Sequence, residues 1–189
     1  EFRRVLFRST NMILCAKETE EGWDTPAVLA ENLPRLSGFT CGLNAEGEPV
    51  YAYTTAIPND DGSRTQTLYV ADLSGNVTEL ASGSVSGAQF TSIPGKDASG
   101  LIWYQNGKYC ASTDFVNVED LCTEEYDVSD RFAVAGDRIL FVANDASCAK
   151  AYSMRYDAEA GTFTKPVSIE SGDNLYYESI SVAKSGSDT

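Results

Sequence analysis

The chain has no histidine at all. That removes the Ser-His-Asp triad, histidine-ligated zinc and imidazole acid-base work from the 189 residues. It has neither a Gly-x-x-x-x-Gly-Lys phosphate loop nor a Gly-x-Ser-x-Gly elbow. Its five cysteines are odd in number and show no Cys-x-x-Cys spacing, which argues against a zinc cluster. No run approaches the roughly 18–20 apolar residues that a membrane helix needs. Basic residues are scarce, with 14 Lys and Arg against 28 Asp and Glu and a net charge of −14. Phosphate recognition requires a basic stripe, so nucleic acid is excluded as an expected partner. No stretch keeps apolar residues at three- and four-residue spacing for the length of a helix. Residues 20–31 come nearest, but Gly22 and Pro26 interrupt them.

The first nine residues, Glu1-Phe2-Arg3-Arg4-Val5-Leu6-Phe7-Arg8-Ser9, read codon for codon as the translation of a common sequencing adapter. They are set aside from the fold, as processing segments should be. The expectation is a gene fragment from an assembled environmental read, with native sequence from about Thr10 and truncation at both ends. Leaving out Arg3, Arg4, Arg8 and Glu1 makes the charge balance more acidic still. Acidity together with abundant Ser, Thr, Gly, Asn and Tyr suits an extracellular or cell-surface bacterial protein.

What is present is alternation. Short segments of period-two apolar residues, separated by turn residues, recur in groups of four. The first group is Gly38-Phe39-Thr40-Cys41, Val50-Tyr51-Ala52-Tyr53-Thr54, Thr67-Leu68-Tyr69-Val70-Ala71-Asp72 and Val77-Thr78-Glu79-Leu80. The order returns at Gln89, Leu101, Lys108 and Val118, and again at Arg131, Arg138, Ala151 and Phe163. Residues 12–16 and 26–29 read as the last two strands of an earlier unit, and 178–182 as the first strand of a later one. Phe39, Phe90, Phe132 and Ile180 mark one repeating position; Leu14, Tyr69, Tyr109 and Tyr152 mark another. The repeat is about 40–50 residues, the length of a four-stranded propeller blade. Stacking such sheets about a channel covers both faces of each. That explains near-continuous apolar strands such as Ile139-Leu140-Phe141-Val142. The rival architecture is a β-sandwich, which short regular strands also permit.

The segment Leu68-Tyr69-Val70-Ala71-Asp72-Leu73-Ser74-Gly75-Asn76-Val77-Thr78-Glu79-Leu80 resembles the outer hairpin of the TolB-like and WD40-like propeller repeats of bacterial envelope proteins. Asn44-Ala45-Glu46-Gly47 sits where that class carries its Ser-Pro-Asp-Gly turn, and keeps the glycine and an acidic residue. Trp23-Asp24 falls in a turn rather than at a strand end and does not mark a true WD repeat. The fold expected is therefore all-β, an incomplete β-propeller of about three four-stranded antiparallel blades plus two partial ones. Its divisions are 10–35 for a partial blade, 36–86, 87–129 and 130–175 for whole blades, and 176–189 for the start of another. The resemblance implies a platform for protein or glycan binding or assembly, or an accessory propeller beside a hydrolase domain such as a serine peptidase.

Two groups of residues are candidate sites. The polar insert around Asn59, Asp60 and Asp61 lengthens one connection and offers oxygens to calcium or a partner, although it lacks the regular ligand alternation of an EF-hand. Its alternative is a solvated acidic turn. Cys110 and Cys122 lie on consecutive expected strands and are candidates for a disulfide, while the matching strand positions of Cys15 and Cys110 favour small buried hydrophobes. Trp103, Tyr104, Tyr176 and Tyr177 stack on a ligand or pack in the core. No catalytic residue, metal or cofactor is expected. The remaining partners expected are the missing blades of the same chain, paired at two exposed sheet edges.

Overall fold

The computed structural model describes residues 11–16, 18–122, 128–145, 148–169 and 180–181. The described residues form strands and turns, with no helix among them. The first strands are β1 (Asn11–Cys15), the short hairpin β2 (Glu18–Thr19) with β3 (Gly22–Trp23), and β4 (Ala27–Leu33), which pairs with β1. A four-stranded meander follows, β5 (Arg35–Leu43), β6 (Pro49–Pro58), β7 (Arg64–Asp72) and β8 (Val77–Gly83), hydrogen-bonded in sequence order. The second meander is β9 (Val85–Ser92), β10 (Ser99–Gln105), β11 (Lys108–Ser112) and β12 (Glu119–Asp120). The third is β13 (Phe132–Ala135), β14 (Arg138–Asp145) and β15 (Cys148–Asp157), with β16 (Thr162–Phe163) and β17 (Val167–Ser168) both on β15. All pairings are antiparallel.

The central strands β6 and β10 send alternate residues into two different cores. From β6, Val50 and Ala52 enter one cluster with Leu68, Val70, Leu101, Trp103 and Cys110. Their neighbours Tyr51 and Tyr53 enter another with Ile13 and Ala71. From β10, Leu101 and Trp103 face the first meander, while Ile102 joins Tyr109, Phe132, Ile139 and Phe141 on the other side. In a sandwich each sheet buries one face and leaves the other polar. Here the first and second meanders each lie between two sheets, and the opening strands β5 and β9 lie against each other. The architecture is all-β, an arc of successive propeller blades flanked by the partial sheet β1–β4.

Three segments differ from the sequence expectation. The polar insert is no open loop: β6 and β7 continue pairing through Ile57↔Thr65 and Pro58↔Arg64, so a hairpin arm projects and closes at 59–63. Threonine-rich sequence at 54–67 favours strand over coil, which period-two apolar counting misses. The expected strand at 163–167 is split into β16 and β17, because Pro166 has no N–H to give the ladder. The expected fourth strand at 118–121 shortens to Glu119–Asp120. Of the expected strand at 178–182, only residues 180–181 lie within the described residues. The adapter-like residues 1–9 and Tyr176 and Tyr177 lie outside them.

Candidate functional site

Chain direction sorts the turns onto two ends. Connections between second and third strands, at 59–63 and 106–107, share one end with the β8–β9 crossing; Asn106 N–H donates to Ser84 O there at 3.2 Å. Turns between first and second strands and between third and fourth strands share the opposite end.

That opposite end repeats one device. An aspartate at or just past the end of the third strand folds the following turn around its carboxylate, as Asx turns do. Asp72 Oδ1 accepts N–H bonds from Ser74 (2.8 Å) and Asn76 (3.0 Å), and Oδ2 accepts from Asn76 Nδ2 (2.7 Å). Asp114 Oδ1 takes N–H bonds from Val116 (3.0 Å) and Asn117 (2.8 Å), and Oδ2 takes Asn117 Nδ2 (2.6 Å). Asp157 Oδ1 accepts from Glu159 N–H and Ala160 N–H, at 3.0 and 3.1 Å. Donors around the ionised form hold the Asp72 and Asp114 carboxyls below the usual range. For Asp72 the Asn76 side-chain amide leads; for Asp114 the backbone N–H of Asn117 leads. Asp72 and Asp157 end β7 and β15, and Asp114 follows the end of β11 by two residues, so the recurrence belongs to the turns.

Beside two of these turns lie clefts between neighbouring blades. One, of about 720 Å³, is lined by Asn44, Glu46, Asp97, Thr113, Asp114 and Phe115, among others. The other, of about 540 Å³, is lined by Gly95, Asp137, Arg155, Tyr156, Asp157 and Glu159, among others. They occupy equivalent places in successive repeats. Phe115 stands edge-on to Phe90 of β9, with ring centres 5.8 Å apart, which roots the turn in its own blade. The first cleft is acidic. In the second, Arg155 Nε bonds Asp137 Oδ2 at 2.5 Å, which neutralises part of the wall.

The sequence-nominated residues sit elsewhere. Asn59, Asp60 and Asp61 are exposed at the tip of the hairpin arm, on the other end from both clefts. Asn59 Nδ2 donates to Ser63 Oγ (2.8 Å), Thr65 Oγ1 donates to Asn59 Oδ1 (3.2 Å), and Asp61 Oδ1 accepts Ser63 N–H (2.9 Å) and Oγ–H (2.5 Å). Two of the three side chains thus turn their oxygens onto the hairpin itself. Bonds from Ser63, its hydroxyl first, lower the Asp61 pKa. Among the described residues no group of three or more His, Cys, Asp or Glu converges on a common point.

Cys110 and Cys122 are both buried and both free thiols. Cys110 joins the cluster facing the first meander, whereas Cys122 joins the one facing the third. Cys122 Sγ accepts Tyr109 N–H at 3.4 Å, and Cys110 Sγ–H points at Asp120 Oδ1, 3.5 Å away. Burial, then the Asp120 charge, pushes the Cys110 thiol up to about 12; burial also raises Cys122. Trp103 is fully buried and its Nε1–H donates to Gln105 Oε1 at 3.1 Å, which makes it a core residue. Tyr104 is half-buried against the Tyr109 cluster.

No helix among the described residues is long and apolar enough to cross a membrane. No family model matches the chain. No curated protein matches it either. Among solved structures it is similar to the crystal structure of TolB from Acinetobacter baumannii, at 20% identity and a TM-score of 0.49. The match covers 79% of this chain and 36% of that one, so the chain spans little more than a third of that protein's length.

Proposed function

We propose that the chain is part of an extracellular or cell-surface β-propeller that acts as a non-catalytic module for binding or assembly, with a protein or glycan as its ligand. One observation carries this reading: equivalent clefts recur between blades at one end, walled by turns that aspartates hold in shape. Binding residues concentrate on loops fixed by a rigid scaffold, because such loops vary without disturbing the core. The first cleft presents Glu46, Asp97 and Asp114 beside the half-buried ring of Phe115, a combination that suits a cationic or hydroxyl-rich group lying on an apolar face. Asp114 is engaged with its own turn, which leaves Glu46 and Asp97 as the charges that meet a ligand.

Binding to peptide and oligosaccharide arrays, read for the wild-type chain and for the double variant Glu46→Lys, Asp97→Lys, tests the proposal. Both side chains are exposed, so the variant is expected to fold. A bound class lost in the variant and weakened by salt supports the reading. Binding that the variant retains unchanged moves the site off this cleft, and an array with no bound class overturns the function.

A further inference from the structure

We infer that the groove between β1 and the β5–β6 face is a docking site for a two-stranded β-hairpin, the first two strands of a further repeat of the same polypeptide. This rests on reading the chain as an arc of blades. The groove, about 560 Å³, is lined mainly by apolar residues, including Ile13, Phe39, Cys41, Leu43, Tyr51 and Leu73. It continues the established interface in which Ile13, Leu29 and Ala30 pack on Tyr51, Tyr53 and Ala71.

The repeats show what covers such a groove. β1 and β4 pair as β7 and β8 do, so the strands equivalent to β5 and β6 belong on the other edge of β1. In the next interface, β5 and β6 cover the ring of Phe90: a Cβ on Gly42 would meet Phe90 Cβ and Cγ at 2.5 Å. One interface further, a Cβ on Gly87 of β9 would meet the ring of Phe132 at 2.9 Å. Phe39 holds the same position in the first meander, yet it is 55% exposed while Phe132 is 7% exposed. Facing strand partners agree, since Phe39 opposes Tyr53, Phe90 opposes Leu101 and Phe132 opposes Phe141.

A second, independent observation lies in the same wall. Tyr51 is 2% exposed, and its hydroxyl is buried with no hydrogen-bond partner. Buried hydroxyls are normally paired, because an unmade bond costs their desolvation. The occupant is therefore a hairpin with an apolar inner face, a small residue over Phe39 and a polar group in reach of Tyr51 Oη. Its backbone extends the β1 ladder by strand addition.

The test is amide hydrogen exchange on the full 189-residue chain, with and without a synthetic peptide of residues 35–58 (β5–β6) as the probe. Docking slows exchange along β1 about tenfold or more. Phe39→Lys, at an exposed position, abolishes this protection without unfolding the chain. Tyr51→Phe weakens the peptide about 2- to 10-fold, the value of one hydrogen bond. A peptide carrying Gly42→Val also loses binding. No binding, or protection confined to other edges, overturns the docking site. Protection of β1 that rises with chain concentration in the absence of peptide assigns the groove to a second copy, and overturns it too. Failure of the arc reading is separately visible: nuclear Overhauser contacts of Trp103 and Tyr109 would then point to one and the same facing sheet.

Discussion

Phe132 and Phe39 stand at the same place in two repeats, and their surroundings differ by one neighbouring sheet. Phe132 packs 4.5 Å, ring centre to ring centre, from Tyr109 of the preceding meander, in a cluster with Ile102, Ile139, Phe141 and Met154. Among the described residues Phe39 stacks on its own sheet, beginning the row Phe39, Tyr51, Tyr53, Tyr69. The preceding sheet supplies β1 and β4, which reach Tyr51 and Tyr53 but stop short of Phe39. Burial of a blade residue is thus set by the sheet next door rather than by its own. Stability in such a stack is a sum of units and nearest-neighbour interfaces.

The largest effect follows from truncating the filled interface. Phe132→Ala, at a side chain 7% exposed, is expected to cost about 3–5 kcal/mol in urea unfolding. Phe39→Ala is expected to cost no more than about 0.5 kcal/mol, as for other surface changes. Equal losses at the two phenylalanines would break the comparison.

Glycine at the sheet contact sharpens it. Gly42→Ala is expected to cost about 1–3 kcal/mol, because the new methyl has to displace Phe90. Gly38→Ala, on the same strand, meets nothing closer than Thr54 Oγ1 at 3.5 Å and should be neutral or nearly so in the same unfolding assay.

Smaller effects belong to the turns. The carboxyls of Asp72 and Asp114 have folded pKa values below their unfolded ones. Their contribution is therefore full above the ordinary carboxylate pKa of about 4, and is lost as pH falls through the folded values. Thermal melts of Asp114→Asn between neutral and acid pH should show a shallower loss than wild type, with a modestly lower Tm at neutral pH. A parallel pH profile would remove Asp114 from the account.

Thiol chemistry separates the same two environments. Brief alkylation of the folded protein at mildly alkaline pH should label exposed Cys41 and spare Cys110 and Cys122, read by peptide mass spectrometry. Unfolding without reductant should then expose both, since they lie in different clusters. Continued protection of the pair after unfolding would show a bridge.

Strand order, the repeat and its marker phenylalanines were legible because a two-faced core leaves a simple trace: apolar residues on both parities of β6, β10 and β14. The clefts were not. They are built by turns from two repeats, and period-two counting treats turns as gaps. Clustered polar and acidic side chains single out Asn59, Asp60 and Asp61 in the sequence, whereas the structure spends Asn59 and Asp61 on closing a hairpin. The informative acids were the single ones that recur, Asp72, Asp114 and Asp157. The cysteines show a related limit. Adjacent strands suggest proximity, but only side-chain parity tells that Cys110 and Cys122 enter different clusters.

The central claim is that the second meander is buried on both faces by the sheets that flank it in sequence. Nuclear Overhauser contacts test it most directly. The account predicts contacts from Gly42 Hα to the Phe90 ring, from the Trp103 indole to Leu68 and Val70, and from the Tyr109 ring to Phe132. Contacts of Trp103 and Tyr109 to one and the same facing sheet, with Gly42 far from Phe90, would instead describe a two-layer sandwich and contradict the arc.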